Sequence, residues 1–506
     1  MALNEIYSWY ESSDGETQIY VLEGLAGIGK STIARTVAKE AHKHGWLGAS
    51  FFFSRSEDER KSAKLFSGSV AFQLSEYSKE ISLRIGEALE LKPSASGKQL
   101  QDQLRDLIIQ PLQSCKNKPN ILIVIDAFDE CDKQDAERLL SLLLQEILQV
   151  PNLKIFFTTR SERHILNILR RHEAHHLYRL HDIENSIVEG DVRSYLNHGL
   201  SSDAVEIALP RLKPPPWEPS LSDFNALVNA AGKFFIIAST AIKFLLDDIR
   251  YNPKAQMKDL MRGIAVDNTG TPLNTLDGVY AQILSVAVPS NYPRDVLTRF
   301  HSVVGTIVLL QDPLPLQALV SLLQSNTDHV NDQIDIDYVN GALVHLQSVI
   351  WLSGPENDTP RIYHKSFPDF LTDEQRCSNV PRFYVPVGLQ HGYIARKCFQ
   401  VMDNQLCANI CDLEFSARYL DNDKDLVVGR ISSELQYASL HWATHLCSAE
   451  NDNDLFFLLK KFSFTHLLHW LEVLSHIGRL EVANTALDRS IRFAVSGFTQ
   501  SSEPSV

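Results

Sequence analysis

A glycine turn between a short apolar run and an amphipathic helix constrains this chain more than any other stretch. Residues Gly24-Leu25-Ala26-Gly27-Ile28-Gly29-Lys30-Ser31 satisfy every fixed position of the phosphate-loop pattern G-x-x-x-x-G-K-[ST], and Thr32 follows. Upstream, Ile19-Tyr20-Val21-Leu22 reads as a buried strand. Downstream, Ile33, Val37 and Ala41 recur at helical spacing, so a helix starts at Lys30. Glycine lets the backbone approach an anion without a Cβ clash. The N–H groups of the turn and of the helix start then face phosphate. In that arrangement Lys30 reaches the terminal phosphates and the Ser31 hydroxyl sits on Mg²⁺.

A second half of the site lies about a hundred residues on. Asn120-Ile121-Leu122-Ile123-Val124-Ile125-Asp126 is the strongest strand in the chain. Its unbroken apolar run marks a central parallel strand covered on both faces. Asp126 closes it, where a metal-holding carboxylate belongs. Asp129 and Glu130 follow, and either can orient an attacking water or take its proton. The next strand, Leu153 to Arg160, ends in Thr158, Thr159 and Arg160, whose cation could read a γ-phosphate or form a surface ion pair.

The remaining elements fall around these. Ala49 to Phe53 and His176 to Leu180 read as further strands, and Ala63–Glu90, Gln99–Leu112 and Asp135–Leu148 as helices. Strands alternating with helices give a doubly wound parallel sheet, with ligands at the carboxyl ends of its strands. Past residue 185 the strand signal fades. Residues 187–200 and an apolar pair around Gly232 read as helices, prolines 210 to 219 as a linker, and 265–275 as a second linker. Helices follow, and Ile350–Ser353 could pair with Arg361–His364 as a hairpin, an order that suggests a winged helix. The fold class is therefore α/β then mostly α. A doubly wound parallel sheet of P-loop NTPase type precedes helical and winged-helix domains and a C-terminal helical region. The expected divisions are a lead (1–17), the core (18–185), a helical domain (186–265), a winged-helix-like domain (275–375), a C-terminal helical domain (385–495) and a polar tail (496–506).

Composition narrows the function. The chain has 506 residues, with 48 basic against 62 acidic side chains and a net charge of −14. A nucleic-acid binder needs a basic footprint, so none is expected. The seven cysteines form no C-x-x-C pair, which suits free thiols in a reducing compartment. Met1-Ala2-Leu3-Asn4-Glu5 has no basic lead or long apolar run, and the most apolar stretch, Phe234 to Leu246, is too short to span a bilayer. A cytoplasmic protein is expected.

With these residues in view, the chain resembles the NACHT branch of the STAND P-loop ATPases, above all the set found in mushroom-forming fungi, with its nephrocystin-3-like N-terminal NACHT type. The likeness rests on Gly24 to Thr32, on Phe51-Phe52-Phe53-Ser54-Arg55, on residues 123–131 and on residues 157–160. It continues through residues 230–235, 276–284, 364–371, 437–442 and 470–474. The small Ala127 after Asp126 and the acidic pair 129–130 set it apart from AAA+ ATPases, where Glu usually follows the Asp. The resemblance implies an ADP/ATP switch with slow hydrolysis and Mg²⁺. It also implies nucleotide-driven oligomerisation, protein partners acting as effector or sensor, and signalling in fungal innate immunity or self-recognition. By position His364 looks like the winged-helix histidine that touches the ADP β-phosphate in the closed form. The family usually carries an N-terminal effector domain and C-terminal repeats, and no segment here reads as either. A non-hydrolysing, ADP-holding scaffold or adaptor is the alternative.

Overall fold

The computed structural model describes residues 2–12, 17–55, 57–92, 99–116, 120–172, 175–212, 216–265, 272–324, 334–352, 359–413, 429–450 and 452–500. They fall into two compact units, Met1–Asn197 with Leu227–Ala238, and His198–Ala226 with Ser239–Val506.

In the first unit five strands, β1 (Ile19–Glu23), β2 (Leu47–Phe52), β3 (Ile121–Asp126), β4 (Leu153–Thr159) and β5 (His175–Arg179), form one sheet in the order β2-β3-β4-β1-β5. Every pairing is parallel. The expected doubly wound sheet is thus present, and β4 separates the strand before the glycine turn from the acidic strand. Alternation along β3 explains its unbroken apolar run. Ile121, Ile123 and Ile125 join a core with Phe66, Val70, Leu107 and Leu139. Leu122 and Val124 join the opposite core with Ala34, Val37, Ala41 and Trp9. A strand buried on both faces has no polar side to show.

Helix α1 (Ala2–Glu11) belongs to that second core, burying Ile6, Trp9 and Tyr10. Helix α2 (Lys30–Lys43) starts at the lysine of the motif, with Gly29 in the left-handed region as its cap. The helices Phe66–Tyr77 and Lys133–Glu146 cover the other face.

The second unit is mostly helical. The helices Arg294–Leu309, Leu316–Leu323 and Ile336–Leu343 precede an antiparallel pair, Ile350–Trp351 with Arg361–Ile362, in the expected order of helices then hairpin. Residues 353–358, across which the hairpin is expected to turn, lie outside the described residues. Helices Val387–Gln405, Ser433–Ser448, Asn453–Thr465, Leu467–His476 and Glu481–Gln500 follow. Two boundaries differ from expectation. The stretch read as a linker up to 275 is already helical from Pro272, because proline suits the first turn of a helix, where no N–H partner is needed. The last helix runs to Gln500, into the stretch read as a polar tail, and 501–506 lie outside the described residues. No disulfide joins any of the seven cysteines, and among the described residues no helix is long and apolar enough to cross a membrane.

Candidate functional site

The glycine turn leaves β1 and takes up two left-handed backbone positions, Gly27 at φ 77° and Gly29 at φ 97°. A Cβ at Gly27 would stand 2.3 Å from Ile236 Cγ2, so the position tolerates no side chain on either ground. The Ile236 N–H donates to the Gly27 carbonyl at 3.1 Å. The loop is therefore pinned from a segment two hundred residues later in the chain. The N–H of Ile33 closes on the Gly29 carbonyl at 3.0 Å, which opens α2. The N–H groups before it belong to a helix start and have no carbonyl a turn behind them to use.

Lys30 is 9% exposed. Its Nζ donates to the Gly24 carbonyl at 2.7 Å and the Leu25 carbonyl at 2.8 Å, folding the ammonium back over the loop. Burial lowers its pKa to about 8, and the Arg160 charge pushes the same way, against Asp129, Asp126 and Glu130. Leu25, Ala26 and Ile28 carry the turn; Leu25 is exposed and Ile28 buried in the α2-side core. Ser31 and Thr32 stand exposed at the start of α2.

The carboxyl end of β4 ties the two halves of the site together. The Thr159 carbonyl accepts the Gly24 N–H at 3.1 Å, at the start of the turn. The Thr158 hydroxyl donates to Asp126 Oδ1 at 2.5 Å and accepts the Ala127 N–H at 2.9 Å. The Ser31 hydroxyl lies near enough to Asp126 to favour its ionised form. The end of β4 thus holds the phosphate loop and the strand-end aspartate side by side. Burial raises the Asp126 pKa, opposed by the Thr158 and Ser31 hydroxyls.

Beyond Asp126 the chain turns sharply through Ala127, at φ 54°, into the 3-10 turn Phe128–Glu130. Phe128 drops into the core and turns the next two residues toward the strand ends. Asp129 is buried, its Oδ1 accepting the Arg160 N–H at 3.1 Å and its Oδ2 lying 3.4 Å from Arg160 Nε. Glu130 is half-buried, and its Oε2 accepts the Arg55 N–H at 3.3 Å. Burial raises the Glu130 pKa, Asp129 adds to this, and Arg55 and Arg160 oppose it.

The first unit therefore brings together the loop, Asp126, Asp129, Glu130 and Arg160. His364 belongs to the second unit. There its Nδ1 accepts the Ser366 N–H at 3.1 Å and lies 2.7 Å from Ser366 Oγ, which in turn meets the Tyr280 hydroxyl at 2.7 Å. Accepting that N–H leaves the proton of the neutral ring on Nε2. Sequence reasoning gave no role to Thr158, Arg55 or Ile236. Two hydroxyls ending an otherwise apolar strand are the signal that points to Thr158. Nothing local to residue 236 marks it as a neighbour of the loop.

No curated protein matches the chain. Among solved structures, the Walker-type ATPase of Pyrococcus abyssi superposes with a TM-score of 0.34 at 13% identity, over 72% of this chain and 93% of that one. A chain of the Drosophila ORC bound to DNA superposes with a TM-score of 0.32 at 12% identity, over 75% of this chain and 94% of that one. Residues 2–160, which run from α1 through the glycine turn and the acidic strand to Arg160, match the model of the family described as Nephrocystin 3, N-terminal.

Proposed function

We infer that this chain binds ATP and ADP with Mg²⁺ and acts as a slow, nucleotide-dependent switch of the NACHT type, resembling those of mushroom-forming fungi. The observation that carries the reading is the end of β4, where the Thr159 carbonyl takes the Gly24 N–H and the Thr158 hydroxyl donates to Asp126, because this sets the phosphate turn beside the carboxylate that a Mg-nucleotide site needs. The donor set fits the ligand. The helix start, the turn and an ammonium offer anion partners. Ser31 and Asp126 offer two hard oxygens, too few to cage a metal without phosphate and water. Bound there, Mg²⁺ would offset charge on the β- and γ-phosphates.

Each residue then has a task. Residues Gly24 to Thr32 cradle the phosphates. Lys30 exchanges two carbonyls for phosphate oxygens. Asp126 supports the metal. Asp129 is the tether of the acidic turn, since both its oxygens are turned to Arg160. Glu130 is the base that takes a proton from the attacking water. Its raised pKa brings it nearer the working range of a general base. Arg160 steadies the charge around that step, and His364 reads the β-phosphate of ADP in the closed form. The domain divisions expected from the sequence, a cytoplasmic location, effector or sensor partners, and nucleotide-driven self-assembly belong to the same reading.

Mass spectrometry of the nucleotide that copurifies tests this, with gel filtration before and after exchange to ATP–Mg²⁺. Lys30→Ala is expected to lose the nucleotide, and Glu130→Gln to keep it while phosphate release stops. Retention of nucleotide by Lys30→Ala overturns the site. Tight ADP with phosphate release indifferent to Glu130→Gln overturns the switch in favour of a scaffold.

A further inference from the structure

Arg55 lies outside both the phosphate loop and the acidic strand, yet it touches the acidic turn twice. It follows Phe51-Phe52-Phe53-Ser54 just past the carboxyl end of β2, on an exposed turn. Its guanidinium Nη2 donates to the Asp129 carbonyl at 2.7 Å. Its main-chain N–H donates to Glu130 Oε2 at 3.3 Å.

The turn it holds needs holding. Phe128–Glu130 is a single 3-10 turn, entered through a non-glycine residue in the left-handed region. Such a turn has few bonds of its own, and the left-handed entry costs energy that the surroundings must offset. Arg160 anchors the turn by the Asp129 carboxylate, from β4. The N–H of Phe53 anchors the strand end by the Asp126 carbonyl, at 3.0 Å, from β2. Arg55 completes the β2 side, and it acts on the carboxylate of Glu130 as well as on the backbone.

We propose that Arg55 is a positioning residue for Glu130, setting the height of that carboxylate from the end of β2 without touching the nucleotide. This rests on the reading of Glu130 as the base. Its consequence is that the exposed turn after β2 controls hydrolysis. When that turn shifts, the acidic turn loses a carbonyl anchor and Glu130 loses both an N–H donor and a nearby cation. A partner seated on this turn would then alter hydrolysis while leaving the phosphate cradle untouched.

The test compares kcat, KM for ATP and the pH–rate profile of the full chain with those of Arg55→Ala and Arg55→Lys. Arg55→Ala is expected to lower kcat by about tenfold with KM within about twofold, a part of the about 10²–10⁴-fold that a positioned general base supplies. Its acid limb is expected at higher pH, because protonated Glu130 is no longer opposed by the neighbouring cation. Arg55→Lys keeps the charge but not the planar fork, so it is expected to bring the limb back without the full kcat. An unchanged kcat and limb in Arg55→Ala overturns the proposal, and so does a change confined to KM. Should Arg55→Ala fail to fold, Arg55→Gln and Arg55→Lys carry the same comparison. Glu130→Gln separates the two readings. Parental turnover by that variant removes the base itself, whereas an inactive Glu130→Gln beside a normal Arg55→Ala removes only the role of Arg55.

Discussion

A buried lysine is costly, and Lys30 sits 9% exposed with its ammonium on two carbonyls. Carbonyl dipoles compensate a charge less well than anionic oxygens do, and burial holds the pKa at about 8. Bound phosphate would pull that pKa up, so binding takes up a proton once the free ammonium begins to deprotonate. Affinity is therefore expected to be level below pH 7.5 and to weaken as pH rises through 8, by about tenfold or more at pH 9.5. Titration calorimetry with ADP–Mg²⁺ across this range measures it; an affinity level to pH 9.5 rules out Lys30 as the phosphate cation. At this scale much of the site is legible in the sequence, because the loop glycines, Lys30 and Ser31 are specified by short-range chemistry. Thr158 and Arg55 are not, since their partners are Asp126, Asp129 and Glu130, on other strands and turns.

At the scale of elements, α1 is the clearest case of a helix made by its neighbours. Ten residues form too short a helix to persist alone in water. Its last carbonyls have no intrahelical partner. Lys154, on β4, supplies one, its Nζ donating to Trp9 O at 2.7 Å, Tyr10 O at 3.0 Å and Ser12 O at 2.8 Å. The same cation lies 5.3 Å from the Trp9 ring centroid. Lys154→Met keeps the apolar stem and removes these bonds. It is expected to cost about 1–3 kcal/mol and to raise hydrogen exchange across residues 2–11, while unchanged exchange there shows that the apolar face suffices. The apolar spacing of Ile6, Trp9 and Tyr10 hints at a helix, but the sequence alone does not reveal the cation that ends it. The strands are the opposite case, since Ile121 to Ile125 and Ile19 to Leu22 declare burial on both faces by composition alone.

On the scale of the whole molecule, two buried histidines and two carboxyls answer acid in opposite directions. In the second unit His391 Nδ1 lies 2.8 Å from His445 Nδ1, and His445 Nε2 lies 2.8 Å from the Tyr437 hydroxyl, which accepts the Gln311 N–H at 3.1 Å. Two ring nitrogens in contact cannot both carry protons. Burial holds the pKa of both histidines down, that of His445 well down, with His391 and His441 adding to the effect. The unfolded chain therefore binds protons that the folded unit refuses. That stability is complete above the ordinary histidine pKa and is lost progressively as pH falls below it. Asp126 and Glu130 in the first unit have raised pKa values, so their contribution runs the other way: it is present in acid and fades as pH rises. Fluorescence of the buried Trp442 and Trp470, in a Trp9→Phe, Trp46→Phe background, during urea unfolding at pH 7.5 and pH 5 reads the second unit. A lower midpoint at pH 5, flattened in His445→Gln, is expected, and equal midpoints in the parent chain contradict it.

What the sequence by itself determined is whatever one residue and its near neighbours specify: the glycine turn with Lys30 and Ser31, the strand closing on Asp126, and the alternation of apolar runs and helical spacing. What only the tertiary structure decided is which distant groups complete these pieces. It put β4 between the loop and the acidic strand, so that Thr158 and Thr159 join them. It also brought Ile236 against Gly27 and turned Asp129 to Arg160 while Arg55 took Glu130. The reason is physical. Backbone propensity and hydrophobic period act over a few residues, whereas a hydrogen bond between strand ends exists only once the sheet has set their order and register.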